Sequence, residues 1–306
     1  MKKFSVLLFL IFTLFTSAEV REWTRASDSK TMQAEFMRSS GDQVTIRRAS
    51  DRKSMTVKLS LFSEADQEWV KAKLAEGEEG EKMTATEDFA KLLTGDWERT
   101  EGHGLKYRIF GERKMKSSKA GGYPLVVWLH GRNGNVMKPD QPGQARVFSE
   151  KDNFRKRSCF IIAPQHPDHT GWRGASGDSV IEIIEELVKN LPIDQNRIYL
   201  AGYSMGGYGT FHLLAQEPKL FAAGVPIAGG GNPGTAKEMK KIPIWVFHGA
   251  KDPTVKVTQS QAMVEALKDA KSDVKYTEYP DGDHGIVGQV LRDQEIHEWL
   301  FEQKKE

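Results

Sequence analysis

The sequence predicts an α/β protein whose doubly wound, mostly parallel sheet is preceded by a small antiparallel β-domain. From residue 89 onward, apolar strand patterns alternate with amphipathic helical patterns, which is typical of βαβ units. The segment 125–129 is apolar at every position, as expected for a parallel strand that is buried on both faces. Before it, apolar and polar residues alternate at 32–36, 44–46 and 55–59, and this alternation predicts antiparallel strands.

The first residues have the pattern of an export signal. Lys2 and Lys3 precede an apolar run at 4–15 that is too short to span a bilayer, and Thr16-Ser17-Ala18 offers small residues for cleavage. We therefore expect a signal peptide at 1–18 and a secreted or periplasmic protein with no membrane contact after cleavage. An uncleaved membrane anchor is the alternative.

The small domain is expected at 19–75 and ends in a short helix. Ser63 has the position of the helix cap, with Asp66 reaching back to it. The segment 76–88 is rich in Glu, Gly, Lys and Thr, which indicates a linker. The remaining residues, 89–306, form the predicted larger domain.

Four segments of the small domain resemble the SHD-type, SH3-like domain first described in an endocytic adaptor. They are Arg21–Thr24, Ala34–Phe36, Val44–Arg48 and Leu61–Gln67. The resemblance implies a small β-barrel. Because the family includes peptide-binding modules, it also suggests a protein or polymer partner for this domain.

Charge and cysteine content exclude several classes of function. The formal net charge is +2, with both signs spread along the chain, whereas a nucleic-acid protein needs a concentrated basic face. Cys159 is the only cysteine, so the chain has neither an internal disulfide nor a cysteine-based zinc site. We expect no metal and no cofactor.

Gly202-Tyr203-Ser204-Met205-Gly206 is the segment that suggests chemistry. It lies between an apolar strand at 198–201 and a helix at 207–216. In this strand–turn–helix context, a sharp turn exposes the serine hydroxyl at the positive end of the helix. Ser204 is therefore the predicted nucleophile.

A serine hydroxyl needs a base, and the base needs a carboxylate to orient it. Asp252 follows the predicted strand at 244–247, and His284 follows the one at 274–279. Functional groups gather at the carboxyl ends of parallel strands, so these residues are the predicted acid and base. Asp283 is the rival acid, although adjacent side chains point apart.

Attack on a carbonyl also needs hydrogen-bond donors for the developing oxyanion. The backbone N–H of Met205 is the first candidate. The second is the N–H of Arg132, in the glycine-rich loop 130–134 that follows the strand at 125–129. An ordinary glycine-rich turn is the alternative interpretation of that loop.

Candidate substrate contacts come from the same rim. Trp172 is a possible platform for a sugar or an aromatic acyl group, with a partly buried loop tryptophan as the alternative. Tyr203 and His130 are the other two candidates, although His130 stands at a strand end where a role in the loop is also expected.

These segments together resemble the α/β-hydrolase superfamily over roughly 200 positions. Within it, the sequence is similar to secreted feruloyl and acetyl-xylan esterases, polyester depolymerases and the phospholipase/carboxylesterase branch. The resemblance implies a secreted serine hydrolase that cleaves small-molecule or polysaccharide-linked carboxylic esters through an acyl-enzyme. Two alternatives stay open: a peptidase of the prolyl-oligopeptidase type, and a non-catalytic binding protein that uses its SH3-like domain.

Overall fold

The structure is a computed structural model with two compact units, residues 1–81 and 82–306. It describes residues 20–40, 42–78, 85–113, 115, 122–138, 142–168 and 170–305. The predicted signal peptide at 1–18 lies outside the described residues. Within these ranges, no helix combines the length and the apolar composition that crossing a bilayer requires.

The smaller unit is built on a four-stranded antiparallel sheet in the order β1-β2-β3-β4. Its strands are β1 (Val20–Thr24), β2 (Thr31–Ser40), β3 (Gln43–Arg48) and β4 (Ser54–Lys58). The three predicted strands lie in β2, β3 and β4, except that Leu59 already begins a 3₁₀ turn. Strand β1 is additional. Trp23 is its only buried residue, so its sequence shows no alternation of apolar and polar positions.

Helix α1 (Glu64–Glu78) closes the smaller unit. The N–H of Asp66 donates to Ser63 Oγ at 3.2 Å, which confirms the predicted cap. Asp66 also accepts hydrogen bonds from Arg21 and from the N–H of Thr24, and these bonds tie the helix to β1. Because α1 continues to Glu78, the segment predicted as a linker at 76–88 begins within a helix.

The larger unit is built on an eight-stranded mixed sheet in the order β12-β11-β10-β9-β7-β8-β6-β5. Its strands are β5 (Glu98–Gly102), β6 (Leu105–Phe110), β7 (Tyr123–Leu129), β8 (Phe160–Pro164), β9 (Ile193–Tyr203), β10 (Ala223–Ile227), β11 (Ile244–Gly249) and β12 (Val274–Tyr279). The pairs β5/β6 and β6/β8 are antiparallel, and the other five pairs are parallel. The prediction of a mostly parallel sheet is therefore confirmed.

The direction of the chain reverses at β7. The chain passes from β7 to β8 on one side and then returns to add β9, β10, β11 and β12 in turn on the other. Such a reversal opens a crevice at the carboxyl ends of the two central strands, here β7 and β9. The loop with Arg132 follows β7 and Ser204 follows β9, so the fold brings both to this crevice.

Helices flank the strands along the chain of this unit. They are α2 (Glu87–Ala90), α3 (Arg146–Ser149), α4 (Lys151–Lys156), α5 (Ala175–Asn190), α6 (Met205–Gln216), α7 (Thr258–Asp269), α8 (Val287–Arg292) and α9 (Gln294–Glu302). Helix α8 ends at Arg292. Asp293 has extended backbone angles and accepts from the N–H of Glu295, so it begins a second helix.

Candidate active site

Ser204 occupies the turn between β9 and α6 in a strained conformation. Its φ of +56° lies in a region that side chains other than glycine rarely adopt. The Ser204 N–H donates to Ile227 O at 2.8 Å, and its carbonyl accepts from the N–H of Tyr208 at 3.0 Å. The neighbouring strand and the new helix therefore hold the strained residue, as expected where a turn must present a reactive side chain.

Two glycines let α6 begin directly against the sheet. A Cβ on Gly206 would overlap the carbonyl oxygen of Leu129 at the end of β7, and a Cβ on Gly202 would overlap Gly206 O. The N-terminus of α6 therefore lies beside the carboxyl end of β7. Its positive end faces the crevice next to the Ser204 hydroxyl.

The three side chains predicted as a triad form one continuous hydrogen-bonded chain. Ser204 Oγ lies 2.9 Å from His284 Nε2, and His284 Nδ1 lies 2.6 Å from Asp252 Oδ2. Since an ionised carboxylate can only accept, Nδ1 carries a proton and Nε2 is free to accept the serine proton. The arrangement is that of a nucleophile, a base and an orienting acid.

Asp252 is held in place on several sides. Its side chain is fully buried, and Oδ1 accepts from the N–H groups of Thr254 at 2.8 Å and Val255 at 2.9 Å. Burial opposes ionisation, but the hydrogen bonds from His284 and from these two amides outweigh it. They keep the pKa of Asp252 below its ordinary value.

His248 is the second histidine beside this carboxylate. It is completely buried, and its Nε2 lies 3.3 Å from Asp252 Oδ2 and 2.9 Å from Val255 O. Its Nδ1 lies 2.7 Å from Ser260 Oγ, which in turn bonds to Gly229 O. The contact of His248 with Asp252 was not predicted from the sequence. The spacing of four residues to Asp252 just after a strand was the available signal.

The loop that carries His284 is anchored from two directions. Tyr203 donates its hydroxyl to His284 O at 2.8 Å, and the two rings lie 5.1 Å apart. A Cβ on Gly249 would overlap Gly282 O, so the end of β11 packs tightly against this loop. The rival acid Asp283 is exposed, and its Oδ1 accepts from the N–H of Gly285. Its carboxylate thus caps the turn at 284–286.

The candidate oxyanion donors lie on either side of the nucleophile. Met205 is the first residue of α6, so its N–H has no carbonyl partner within the helix. A Cβ on Gly131 would lie 3.4 Å from Ser204 Cβ, which brings the loop of Arg132 close to the serine. Gly134 N–H closes that loop onto Gly131 O at 2.9 Å.

Two of the three predicted substrate contacts, His130 and Trp172, are almost completely buried. His130 is 1% exposed and its Nε2 accepts from the N–H of His166, while its Nδ1 lies 2.6 Å from Gly131 O. Trp172 is also 1% exposed, and its indole N–H donates to His130 O at 3.0 Å. Both side chains therefore stabilise the loops around the crevice. His130 does not line the cavity beside Ser204, whereas Trp172 contributes to its wall although only 1% of its surface is exposed. The burial agrees with the alternatives stated for both residues, a role in the loop for His130 and a partly buried loop tryptophan for Trp172.

A cavity of about 1290 Å³ opens beside the hydroxyl of Ser204. Its described lining combines apolar, amide and basic side chains that include Phe211, Tyr208, Asn232, Arg132, Arg173 and His212. Tyr203 lines the cavity too, so this predicted contact both reaches the cavity and holds His284. Tyr208, Phe211 and His212 were not predicted, since their shared face of α6 becomes visible only when the helix is placed.

Three more histidines of the described residues have structural surroundings. His166 is buried and its Nε2 lies 2.8 Å from Gly171 O, and His297 is buried with Nε2 at 2.7 Å from Leu291 O. His103 contacts two glutamates. Among the described residues, no group of three or more His, Cys, Asp or Glu side chains is suited to holding a metal ion.

Comparison with known proteins bears on the larger unit. Residues 173–300 match the phospholipase/carboxylesterase family, and a thermostable esterase of known structure is 34% identical with a TM-score of 0.58. That match covers 69% of this chain and 63% of the esterase. The larger unit has the α/β-hydrolase fold. This hydrolase unit contains every residue of the candidate site.

Curated relatives of the hydrolase unit fall into two groups of activity. A bifunctional acetylxylan esterase/xylanase of Neocallimastix patriciarum is 25% identical over 61% of this chain and 28% of that protein. A dipeptidyl aminopeptidase BIII of Pseudoxanthomonas mexicana is 27% identical over 44% of this chain and 25% of that protein. The chain thus spans about a quarter of the length of these relatives. The comparisons as a whole support a hydrolase of the esterase type.

Proposed function

We propose that this protein is a serine esterase that cleaves carboxylic esters through an acyl-enzyme. Ser204 Oγ attacks the ester carbonyl, and His284 Nε2 accepts its proton and passes it to the departing alcohol oxygen. Water then attacks the acyl-enzyme by the same route, which releases the carboxylic acid and restores Ser204. The observation that carries the proposal is the continuous chain from Ser204 through His284 to Asp252 beside the cavity.

Asp252 and the backbone amides stabilise the charges that develop. Asp252 accepts from Nδ1–H, so it fixes the productive tautomer and stabilises the imidazolium that forms during the attack. The N–H groups of Met205 and Arg132 donate to the oxyanion, and the N-terminus of α6 adds its partial positive charge.

Substitution of the nucleophile tests this proposal. We expect Ser204→Ala to keep the fold and to lose essentially all hydrolysis of 4-nitrophenyl acetate, a loss on the order of 10⁴-fold or more. A fluorophosphonate probe should label the parent protein and spare the variant. Ser176→Ala, in the first turn of α5, is the matched control and should keep both properties. Retained hydrolysis in Ser204→Ala would remove Ser204 from the mechanism.

Cleavage of peptides by the same triad is the second candidate. The similarity to a dipeptidyl aminopeptidase favours it, because a serine triad can serve amides as well as esters. Aminoacyl 4-nitroanilides assayed beside 4-nitrophenyl esters separate the two activities. We expect a higher kcat/KM for the esters, and the reverse order would favour the peptidase.

The substrate class and the cellular location belong to the same proposal. The similarity to an acetylxylan esterase supports polysaccharide-linked acyl groups as substrates. The export signal at 1–18 would bring the enzyme to such polymers, and the mass of the mature chain tests its cleavage. We also propose that the smaller unit is an SH3-like domain that binds a protein or polymer partner. A purely binding role for the protein would require that the probe fail to label Ser204.

A further inference from the structure

The lining of the cavity beside Ser204 is unusual in its charge. None of the described lining residues is Asp or Glu, whereas Arg132, Arg173, His212 and His284 are all present. The chain as a whole has 42 acidic and 44 basic side chains, so composition alone predicts a mixed lining. The cavity is therefore a basic environment inside a protein of nearly balanced charge.

Neither arginine of the cavity is paired within the described part of the chain. Arg173 lies between β8 and α5 with an exposed side chain, and no ion pair joins it or Arg132 to a described carboxylate. Several other arginines of the described residues are paired: for example, Arg47 lies 2.6 Å from Glu35, and Arg197 lies 2.7 Å from Asp194. The guanidinium of Arg173 is thus available to a ligand in the cavity.

Four carboxylates near the site contact groups other than the two arginines of the cavity. Asp252 is fully buried behind His284, Asp283 accepts from the N–H of Gly285, and Asp168 lies 3.2 Å from His166 Nδ1. Asp178 accepts from Gln216 Nε2 at 2.8 Å. None of these four lines the cavity, so the charge of Arg173 faces solvent rather than a carboxylate.

The pKa of His212 is affected by the positive charge of Arg173. It lies on α6 two turns beyond Ser204, about 12 Å along the helix axis. Burial and the positive charge of Arg173 lower the pKa of His212, and Asp178 opposes this only in part. Arg173 therefore lies close enough to this end of the cavity to disfavour a second cation there.

We propose that the cavity takes esters that carry a carboxylate remote from the scissile carbonyl, and that Arg173 binds this group. The inference rests on the proposed esterase function and specifies its substrate class. The planar guanidinium pairs with a carboxylate through two parallel hydrogen bonds, which gives orientation as well as attraction. The group can belong to the acyl or to the alcohol part of the ester.

Matched pairs of charged and neutral esters test the proposal. For the acyl side, the pair is a 4-nitrophenyl monoester of a dicarboxylic acid and its methyl-capped neutral analogue, with short and long spacers. For the alcohol side, phenyl acetates with a carboxylate or a carboxamide on a spacer serve in the same way. We expect kcat/KM for a charged long-spacer ester to exceed that of its neutral partner about tenfold, mainly through KM.

Variants of Arg173 identify the group responsible. We expect Arg173→Gln to reduce the charged-to-neutral ratio of kcat/KM to about one, and Arg173→Lys to restore part of it. Arg155→Gln removes an exposed arginine of α4 that does not line the cavity, and should leave the ratio unchanged. Binding of the charged ester to Ser204→Ala, measured as a thermal shift, should likewise be lost in Ser204→Ala/Arg173→Gln.

The outcomes separate this inference from the proposed function. Equal rates for charged and neutral esters in the parent protein, or a preference that survives Arg173→Gln, would overturn the inference and leave the esterase intact. Hydrolysis of the neutral esters by Ser204→Ala would instead overturn the esterase proposal itself.

Discussion

Two histidines of the hydrolase unit contact carboxylates in different ways. His284 has Asp252 at Nδ1 and the hydroxyl of Ser204 at Nε2. His103, in the turn between β5 and β6, has a carboxylate at each nitrogen. Its Nδ1 lies 3.0 Å from Glu182 Oε2, and its Nε2 lies 3.3 Å from Glu186 Oε2.

This difference separates a histidine that can act as a base from one that joins two parts of the fold. We call the second arrangement, His103 with Glu182 and Glu186, the clasp. The hydrogen bonds of the two glutamates raise the pKa of His103 to about 9, so at neutral pH it keeps its proton. Glu182 and Glu186 are four residues apart on α5 and share one face of the helix, so they grip the imidazolium between them. Ser179, also on α5, donates its hydroxyl to His103 O at 2.6 Å. A contact between histidine and carboxylate thus indicates a base only when one ring nitrogen still faces a nucleophile.

Removal of each imidazole in turn is the most direct test of this comparison, because only the removal of His284 should lower kcat/KM. We expect His284→Gln to lower kcat/KM for 4-nitrophenyl acetate on the order of 10⁴-fold, because no group remains to accept the serine proton. His103→Gln should leave kcat/KM within about twofold of the parent value. Steady-state kinetics at neutral pH, with circular dichroism to verify folding, measures both.

A comparable loss of activity in the two variants would show that both histidines act on the reaction. A folded His284→Gln variant with near-parental kcat/KM would remove His284 as the base.

His248 adds a third arrangement, in which a buried imidazole contacts the carboxylate of Asp252. We expect His248→Gln to lower kcat/KM on the order of tenfold, since Asp252 loses a buried neighbour that restrains its carboxylate. The matched control is His297→Gln. It removes another buried histidine, bonded to Leu291 O in the last turns of the chain and away from the triad.

Both histidine variants should lower Tm, but only His248→Gln should lower kcat/KM as well. If the two variants lose activity in proportion to their loss of Tm, His248 supports the fold without a separate effect on Asp252.

The parts of the site that could be predicted are those encoded by adjacent residues. The pattern around Ser204 sets a strand, a strained turn and a helix within one short segment, and the chain order of Asp252 and His284 follows from the strands before them. The clasp of His103 could not be predicted, because its partners lie on α5 far along the chain. Likewise the sequence left open whether Trp172 is a platform or a partly buried tryptophan, because its bond to His130 O comes from another loop.

The smallest expected effect is on the pH dependence of stability, to which His103 contributes through its raised pKa. Because the pKa of His103 is about 9 in the folded protein and about 6.5 when unfolded, the clasp stabilises the fold fully below pH 6.5. Its contribution is lost as pH rises through 9. We therefore expect His103→Gln to lower the free energy of unfolding by roughly 1 kcal/mol at pH 6, so that its Tm lies below the parent value. Above pH 9 the Tm values of the two proteins should converge. Differential scanning calorimetry across this range measures the effect, and a Tm difference that stays constant would show that His103 acts through packing rather than charge.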